Sequence, residues 1–455
     1  MGVEIPLLLS PVIPPGNMRG ARTGACTLGG VVSLTTPEHG DLTAADRDTV
    51  TELSALPGGW SAEQDHPDLA VYAVERPPRV RTLVDIFQET CQHHPETVAI
   101  QGEDDEITYQ ELEELVDIQA QQLWDRGIGR GDRVGIRVPS GTTDLDVAIL
   151  ATLAAGAAYV PVDADDQTLE RRRSGQRPRW RPSSARTFVG CGDRRAPGRS
   201  GTTELLGRCW IIFTSGSTGT PKGVAVSHRS AAALVDAEAL MYLRHRPLAP
   251  EDRVMAGLSV AFDASCEEMW LAWRHGATLV AAAREVVRSG EDLGRWIVQE
   301  RITAVSTVPT LASLWPSESL SAVRLLIFGG EACPMSLVQR LAHPGREVWN
   351  TYGPTETTVI ASGQLLSVEP PIRIGRPVPG WRLAVVDPDG VPVRWGDTGE
   401  LVIAGVGLGR YLDQAKDPEK FAPLPREPGA PCHAASAAGR GRQACPACPV
   451  SPASC

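Results

Sequence analysis

Residues 210–223 read WIIFTSGSTGTPKG, an apolar stretch followed by a loop of small residues that ends in Lys222. The apolar part predicts a buried strand, because bulky apolar residues stand together just before a turn signal. Glycine and hydroxyl residues let backbone N–H groups approach a phosphate closely, and the lysine adds a positive charge. The loop is not of the Walker A type, since Pro221 stands where a glycine should precede the lysine. A flexible linker would not follow a buried strand, so the stretch predicts a polyphosphate-binding loop.

Strand-like and helix-like segments alternate on both sides of this loop. Strands are predicted at 97–100, 133–138 and 323–328, and helices at 111–125 and 146–155. Continuous apolar runs such as 323–328 are typical of parallel strands that are buried on both faces. The predicted fold class is therefore α/β.

Composition narrows the range of functions. The 455 residues are 42% apolar and 22% charged, which is ordinary for a globular protein of two or three domains. A net charge of −11 disfavours a nucleic-acid partner, and ten cysteines are too dilute for a disulfide scaffold. No apolar run is long enough for a membrane segment. We expect a cytoplasmic protein. Lysine occurs only at Lys222, Lys416 and Lys420, so its use inside a glycine-rich loop is notable.

The residue composition along the chain predicts three regions. Residues 1–78 are rich in Pro, Gly, Ser and Thr and are interpreted as a loosely ordered N-terminal extension. Residues 79–424 form the main domain, interrupted at 167–207 by an anomalous arginine-rich segment. That segment reads either as a basic arm for nucleic acid or an acidic partner, or as translation out of frame; its abrupt limits favour the second.

Residues 425–455 are interpreted as a disordered or out-of-frame tail. Cys445 and Cys448, with His433, could indicate a zinc site, but the second ligand pair is missing. The segment also contains nothing that could form a hydrophobic core. We therefore predict no metal in the tail.

Five further motifs accompany the loop. They are ITYQEL at 107–112, LAAGAAYVPVD at 153–163, FDAS at 262–265, NTYGPTE at 350–356, and GEL, GVG and RYL between 399 and 412. In this order the six motifs resemble the amino-acid adenylation domains of nonribosomal peptide synthetases, in the adenylate-forming superfamily. The resemblance covers about residues 81–421. It implies the large N-terminal subdomain of that fold, with two parallel-rich sheets, helices and a small β-barrel, and with the C-terminal small subdomain missing.

The YGPTE part of these motifs makes chemical sense for ATP and Mg²⁺. Tyr352 can stack on adenine, Thr355 can hydrogen-bond a phosphate, and Glu356 can hold Mg²⁺. The resemblance implies the same roles, with Lys222, Thr355 and Glu356 as catalytic residues. The alternative is a buried turn with a capped glutamate. The ATP-binding residues that the resemblance implies are Thr214, Ser215, Gly216, Ser217, Thr218, Gly219, Lys222, Gly329, Gly330, Glu331, Asn350, Tyr352 and Thr355.

Two carboxylates suggest the substrate. Asp263 follows the apolar run 258–262, which is predicted as a strand, and a buried carboxylate there needs a cationic partner. The resemblance implies that Asp263 binds the α-ammonium of an amino acid. Glu267 would be a second pocket carboxylate, which implies a basic substrate side chain; the alternative is a solvated helix residue. The other pocket positions implied are small or aliphatic and leave room for a long stem: Ala264, Ser306, Ile327, Gly329, Thr351, Val359 and Ile360.

This pocket favours lysine, with ornithine as the next choice. Residues 256–276 and 305–310 also look like the single-module synthetases that make homopolymers such as poly-lysine. The sequence departs from the family after Leu412, because no ribose-binding Thr-Gly-Asp motif, later catalytic lysine or carrier serine follows. Lys416 and Lys420 precede the missing motif. Phosphopantetheine would therefore belong to a carrier protein supplied in trans or lost from the chain.

Three functions remain open from the sequence. The first is ATP-dependent activation of an amino acid as aminoacyl-AMP, impaired by truncation. The second is a ligase that activates a carboxylic acid for coenzyme A, which would have no use for Asp263. The third is a nucleotide-binding remnant without catalysis.

Overall fold

The computed structural model describes residues 3–9, 26–28, 69–72, 77–103, 105–162, 187–191, 205–214, 221–423 and 431–435. Helices and strands alternate through the main domain, and the predicted α/β class is confirmed. In this part of the chain, no helix combines the length and the apolar character that crossing a bilayer requires.

Helix ends in the main domain follow local capping chemistry. The Thr108 hydroxyl accepts the N–H of Glu111, whose carboxylate accepts the Thr108 N–H, so the second helix begins two residues earlier than the apolar pattern predicts. The α-helices described are α1 (Leu83–His93), α2 (Tyr109–Asp125), α3 (Thr143–Ala154), α4 (His228–Met241), α5 (Ala264–Trp273), α6 (Arg284–Arg288), α7 (Gly290–Gln299), α8 (Pro309–Ala312) and α9 (Met335–Leu341).

The strands form three sheets. They are β1 (Val3–Leu9), β2 (Cys26–Leu28), β3 (Val98–Gln101), β4 (Glu106–Thr108), β5 (Arg133–Ile136), β6 (Ala158–Pro161), β7 (Thr187–Cys191), β8 (Arg208–Thr214), β9 (Lys222–Ser227), β10 (Arg253–Ala256), β11 (Thr278–Ala281), β12 (Ala304–Thr307), β13 (Leu325–Phe328), β14 (Glu347–Tyr352), β15 (Ser362–Leu365), β16 (Arg376–Pro377), β17 (Trp381–Val386), β18 (Glu400–Gly405), β19 (Arg410–Tyr411), β20 (Phe421–Pro423) and β21 (Pro431–Ala435).

Two of the sheets are large and mixed, and the third is small. The first has the strand order β19-β9-β8-β6-β5-β7-β1-β2. The second has the order β16-β15-β14-β13-β12-β10-β11-β3-β4, and its strands from β14 to β3 run parallel. The third is antiparallel, in the order β17-β18-β21-β20.

The core explains why the parallel strands read as continuous apolar runs. Ile327 of β13 belongs to the main core, which also contains side chains from the first sheet and from helices α1 to α5. Its neighbours Leu326 and Phe328 point to the opposite face and pack in a second core with α7 and α9. The second sheet is therefore covered on both faces, as parallel sheets usually are.

One predicted strand is wrong. Residues 258–262 form turns, and the preceding strand β10 ends at Ala256. The Glu268 carboxylate accepts the N–H groups of Gly257 and Leu258 at 3.0 Å each, so these donors are used inside the turn and not in a strand ladder. Within this run Val260 is buried in the main core, whereas Phe262 is 39% exposed.

The predictions for 1–78, 167–207 and 425–455 fall largely outside the described residues. Within them, only short pieces such as β7 and β21 are described. Residues 69–72 pack on the third sheet: Ala70 is fully buried, and its carbonyl accepts the N–H of Val385 at 2.9 Å. The boundary at residue 78 stays a prediction.

Candidate active site

Several predicted pocket residues lie side by side at the carboxyl ends of parallel strands. Ser306 on β12 is paired in register with Ile327 on β13, and Thr351 lies on the next strand, β14. Gly329 follows β13, and a Cβ atom there would come within 2.9 Å of the Thr351 hydroxyl. A larger residue at 329 would therefore fill the space between these strand ends. Crevices at this edge are where open α/β sheets bind ligands.

Asp263 stands at the entrance to α5 and is only 6% exposed. Burial raises its pKa, hydrogen bonds from the Thr355 hydroxyl and the Ala264 N–H oppose the rise, the carboxylate of Glu356 adds to it, and the resulting pKa is about 6. No salt bridge to Asp263 is found among the described residues. The cationic partner that a buried carboxylate needs is therefore not a side chain of the described residues. A binding site for a substrate ammonium would have this property, because the ligand itself supplies the cation.

Glu267 lies one helical turn after Asp263 and is 2% exposed. Its carboxylate accepts the Tyr242 hydroxyl at 3.0 Å and the Ser306 hydroxyl at 2.5 Å. Burial raises the pKa of Glu267, and these hydroxyl donors oppose the rise. The alternative of a solvated helix residue is wrong, because α5 is buried between α4 and the second sheet.

Glu238, on α4, is a member of this cluster that the sequence analysis missed. It is 2% exposed and hydrogen-bonds the carboxylate of Glu267, and burial raises its pKa well above the usual range. The available signal was a glutamate inside the alanine-rich run AAALVDAEALM of α4.

The NTYGPTE motif forms a tight turn after β14. Gly353 is closely surrounded by backbone: a Cβ atom there would lie 2.6 Å from the Cα of Ile360 and 2.7 Å from the Val359 carbonyl oxygen. Thr358 and Val359 have φ angles of +63° and +62°, a left-handed conformation that costs free energy for β-branched residues. Val359 and Ile360 are both buried. Such strain is typical of functional sites that are fixed by surrounding contacts.

Glu356 and Lys222 meet through Tyr411. The Tyr411 hydroxyl donates to Glu356 Oε1 at 2.6 Å, and the Lys222 ammonium lies 5.1 Å from the centre of the Tyr411 ring. The sequence alone gives Tyr411 of the RYL motif no role. The structure shows that it orients both the predicted metal ligand and the predicted phosphate-binding lysine.

The phosphate loop is described only at its ends. Ser215, Gly216, Ser217, Thr218 and Gly219 lie outside the described residues. Thr214 on β8 and Lys222 on β9 pair with each other in the antiparallel register. The two ends of the loop therefore lie side by side at the edge of the first sheet.

The residues implied for adenine binding lie after β13 and on β14. Gly330 has a φ of +73°, which favours glycine, and a Cβ atom there would lie 3.3 Å from the Phe262 ring. Glu331 accepts the Thr310 hydroxyl at 2.5 Å. Two further implied residues, Asn350 and Tyr352, lie on β14; the Asn350 amide donates to the Arg373 carbonyl at 2.8 Å.

The polar groups of this site fit ATP and Mg²⁺. Thr355 and Glu356 offer a hydroxyl and a carboxylate, and Mg²⁺ prefers oxygen ligands. Lys222 offers an ammonium group, which suits a phosphate. The same groups would also suit other nucleoside triphosphates.

A family model described as AMP-binding enzyme matches residues 87–174 and 207–411. The chain belongs to this family of adenylate-forming ligases. Among curated relatives of this AMP-binding enzyme, the delta-poly-L-ornithine synthetase of Acinetobacter baumannii is 35% identical over 352 residues. That match covers 72% of this chain and 26% of the relative. The phosphinothricin tripeptide synthetase PhsC of Streptomyces viridochromogenes is 35% identical over 406 residues, covering 83% of this chain and 37% of the relative.

Solved structures agree with this assignment. The N-terminal subdomain of Klebsiella oxytoca NpsA, in complex with 3-hydroxybenzoyl-AMSN, has a TM-score of 0.64 at 24% identity, over 78% of this chain and 94% of that one. The nonribosomal peptide synthetase FmoA3, in a form bound to alpha-methyl-L-serine-AMP, has a TM-score of 0.67 at 26% identity, over 86% and 48% of the two chains. The predicted large-subdomain fold is confirmed. The AMP-binding chain thus spans about a quarter to a third of the first curated relatives it matches.

Proposed function

We propose that this chain binds ATP and an amino acid with a basic side chain, lysine first and ornithine next, for activation as aminoacyl-AMP in nonribosomal peptide synthesis. The observation that carries the proposal is the buried carboxylate of Glu267, one turn beyond Asp263. A second buried carboxylate is costly unless the ligand brings a second positive charge. The name of the poly-ornithine synthetase among the relatives supports a basic side chain.

In the proposed reaction the amino-acid carboxylate attacks the α-phosphate of ATP and releases pyrophosphate. Asp263 would bind the α-ammonium, and Glu267 would face the side-chain ammonium. Lys222 and the phosphate loop would hold the phosphates, and Glu356 would hold Mg²⁺, which when bound neutralises phosphate charge. Catalysis of this kind depends mainly on positioning and charge stabilisation.

We propose that turnover by these 455 residues alone is slow. After Leu412 these residues contain no Thr-Gly-Asp motif for the ribose. They also contain no lysine after Lys420. Binding should therefore be easier to detect than exchange. Transfer to a phosphopantetheine thiol would need a carrier protein supplied from elsewhere.

The test compares two non-hydrolysable adenylates that differ only in the side-chain ammonium: lysyl-sulfamoyl-adenosine and norleucyl-sulfamoyl-adenosine. We expect the lysyl compound to bind about tenfold more tightly or better, and Glu267→Gln to remove most of that preference. ATP–pyrophosphate exchange with lysine, ornithine and norleucine is measured in parallel. Equal or tighter binding of the norleucyl compound by the wild-type protein would overturn the proposed substrate class.

A further inference from the structure

Two buried carboxyl groups, one from α4 and one from α5, face each other between these helices. The proposed function uses only one of them. Glu238 and Glu267 are each 2% exposed and are joined by a hydrogen bond. A hydrogen bond between two carboxyl groups needs a proton on one of them, because carboxylates alone only accept. The pair therefore shares one proton in the free protein.

The carboxyl oxygens of Glu238 and Glu267 differ in their hydrogen-bond donors. Glu267 Oε1 accepts the Tyr242 hydroxyl, and Glu267 Oε2 accepts the Ser306 hydroxyl. Glu238 Oε1 is buried, and no N–H or hydroxyl group among the described residues donates to it. An orphaned buried acceptor costs free energy, so its presence beside a substrate pocket calls for a donor.

We propose that Glu238 is a second carboxyl acceptor for the side-chain ammonium of the substrate, and that it releases the proton shared with Glu267 when that ammonium binds. The proposal rests on the proposed function, since it concerns how the same pocket recognises a basic amino acid. It assigns a specificity role to a residue of α4, an element that supplies none of the pocket positions predicted from the sequence.

The chemistry of an ammonium group supports this assignment. An ammonium has three N–H donors and no acceptor, so it can donate to the unpartnered Glu238 oxygen and to Glu267 together. Its positive charge favours the ionised form of Glu238, whose proton passes to the solvent while the ammonium stays protonated. A methyl group at the same place offers neither charge nor donors, so it leaves the proton on the pair.

The titratable groups around the pair are few. Burial and the neighbouring Glu267 raise the pKa of Glu238. Asp263 and Glu268 on α5 act on Glu267 or are acted on by it, and Tyr242 donates to it. The described neighbours that act on the pair are thus acidic groups, and none of them supplies a positive charge. A cation from the substrate is the remaining way to stabilise the fully ionised pair.

The experiment is isothermal titration calorimetry of the 455-residue chain, which measures the affinity and the number of protons released on binding. Lysyl-sulfamoyl-adenosine and norleucyl-sulfamoyl-adenosine are titrated in two buffers that differ in ionisation enthalpy. Glu238→Gln is the test variant, because its amide can still donate to Glu267 as the protonated acid does, so the empty pocket keeps its hydrogen bond. Glu251→Gln, at an exposed side chain, is the matched control.

We expect the wild-type chain and Glu251→Gln to release about one proton on binding the lysyl compound and about none on binding the norleucyl compound. Glu238→Gln should release about none with either, and should lose about 10- to 100-fold in affinity for the lysyl compound alone. Affinity of the wild-type chain for the lysyl compound should also rise with pH, while that for the norleucyl compound changes less.

Two results would overturn the inference: affinity of Glu238→Gln for the lysyl compound within about twofold of the control, or no proton release by the wild-type chain. The second readout needs no variant and so does not depend on whether Glu238→Gln folds. Preference of the wild-type chain for the norleucyl compound rejects the proposed function itself. Preference for the lysyl compound with an unaffected Glu238→Gln rejects only the role of Glu238.

Discussion

Asp263 is a buried carboxyl group whose burial works against stability at neutral pH. Its pKa rises from an ordinary value of 3.8 to about 6. The folded state therefore binds the proton more tightly than the unfolded state, so this group lowers stability as the pH rises from about 4 to 6 and leaves it lower above that window. We expect Asp263→Asn to increase the free energy of unfolding by about 3 kcal/mol at pH 7, and to abolish binding of aminoacyl adenylates.

Urea unfolding at pH 4 and pH 7 checks this prediction. The gain in stability from Asp263→Asn should be small at pH 4, where the wild-type carboxyl is protonated in the folded state and only about half ionised in the unfolded state, and close to its full value at pH 7. A gain of equal size at both pH values would show that the substitution acts through packing and not through the charge. Loss of binding without any gain in stability would show that burial of Asp263 is not costly.

At this scale the sequence identifies residues but not their partnerships. Asp263 is recognisable because a carboxylate directly after an apolar stretch is unusual, and Glu267 because it falls at a pocket position that the resemblance implies. Glu238 was not found, because its partner is 29 positions away on another helix, and only the packing of α4 against α5 brings the two together. The role of Tyr411 is invisible for the same reason, since Glu356 is contributed by a distant turn.

Among the elements, the turn after β14 depends on Gly353. A Cβ atom at this position would meet three backbone atoms at 2.6–2.7 Å, and backbone cannot move aside as a flexible side chain can. We expect Gly353→Ala to destabilise the protein by about 2 kcal/mol or more, and to weaken Mg²⁺-dependent ATP binding because Thr355 and Glu356 follow directly. Thermal unfolding and ATP titration measure the two effects.

Gly129→Ala is the matched control. Its added Cβ atom would lie 3.5 Å from the nearest atom, the Ala155 carbonyl oxygen, which is an ordinary contact. This variant should leave both stability and ATP binding nearly unchanged. If Gly353→Ala behaved like Gly129→Ala, the close packing of the turn would have no functional consequence.

Elements were predictable where one physical signal dominates. Buried strands such as β13 read as apolar runs because both faces are covered, whereas the apolar pattern placed the start of α2 two residues too late because it does not report the capping box at Thr108 and Glu111. The run 258–262 has the same apolar character but forms turns, and Glu268, several residues later on α5, accepts the N–H groups of Gly257 and Leu258 where the run begins. Contacts of this kind depend on tertiary structure, which local pattern does not report.

On the scale of the molecule, β17 of the third sheet and the loop after β18 hold the turn of residues 353–359 in place. The Trp381 indole of β17 donates to the Thr357 carbonyl at 3.0 Å, and the Thr358 hydroxyl donates to the Gly407 carbonyl at 2.6 Å. The Gly409 N–H donates to the Glu356 carbonyl at 2.8 Å. The backbone of the turn that carries Glu356 is therefore held by Trp381 and by the loop 407–409, while the carboxylate itself accepts the Tyr411 hydroxyl.

This arrangement predicts that Trp381→Phe affects both stability and metal-dependent binding. The substitution keeps an aromatic ring in the core but removes the indole donor, and leaving a buried carbonyl unsatisfied costs about 1–3 kcal/mol. Trp395→Phe is the control, because Trp395 contacts Tyr72 edge to face at 5.1 Å and makes no described contact with the turn. Urea unfolding and titration of ATP with and without Mg²⁺ compare the two variants. Trp381→Phe should lose Mg²⁺-dependent affinity, whereas Trp395→Phe should keep it; equal losses would mean that the third sheet acts only through overall stability.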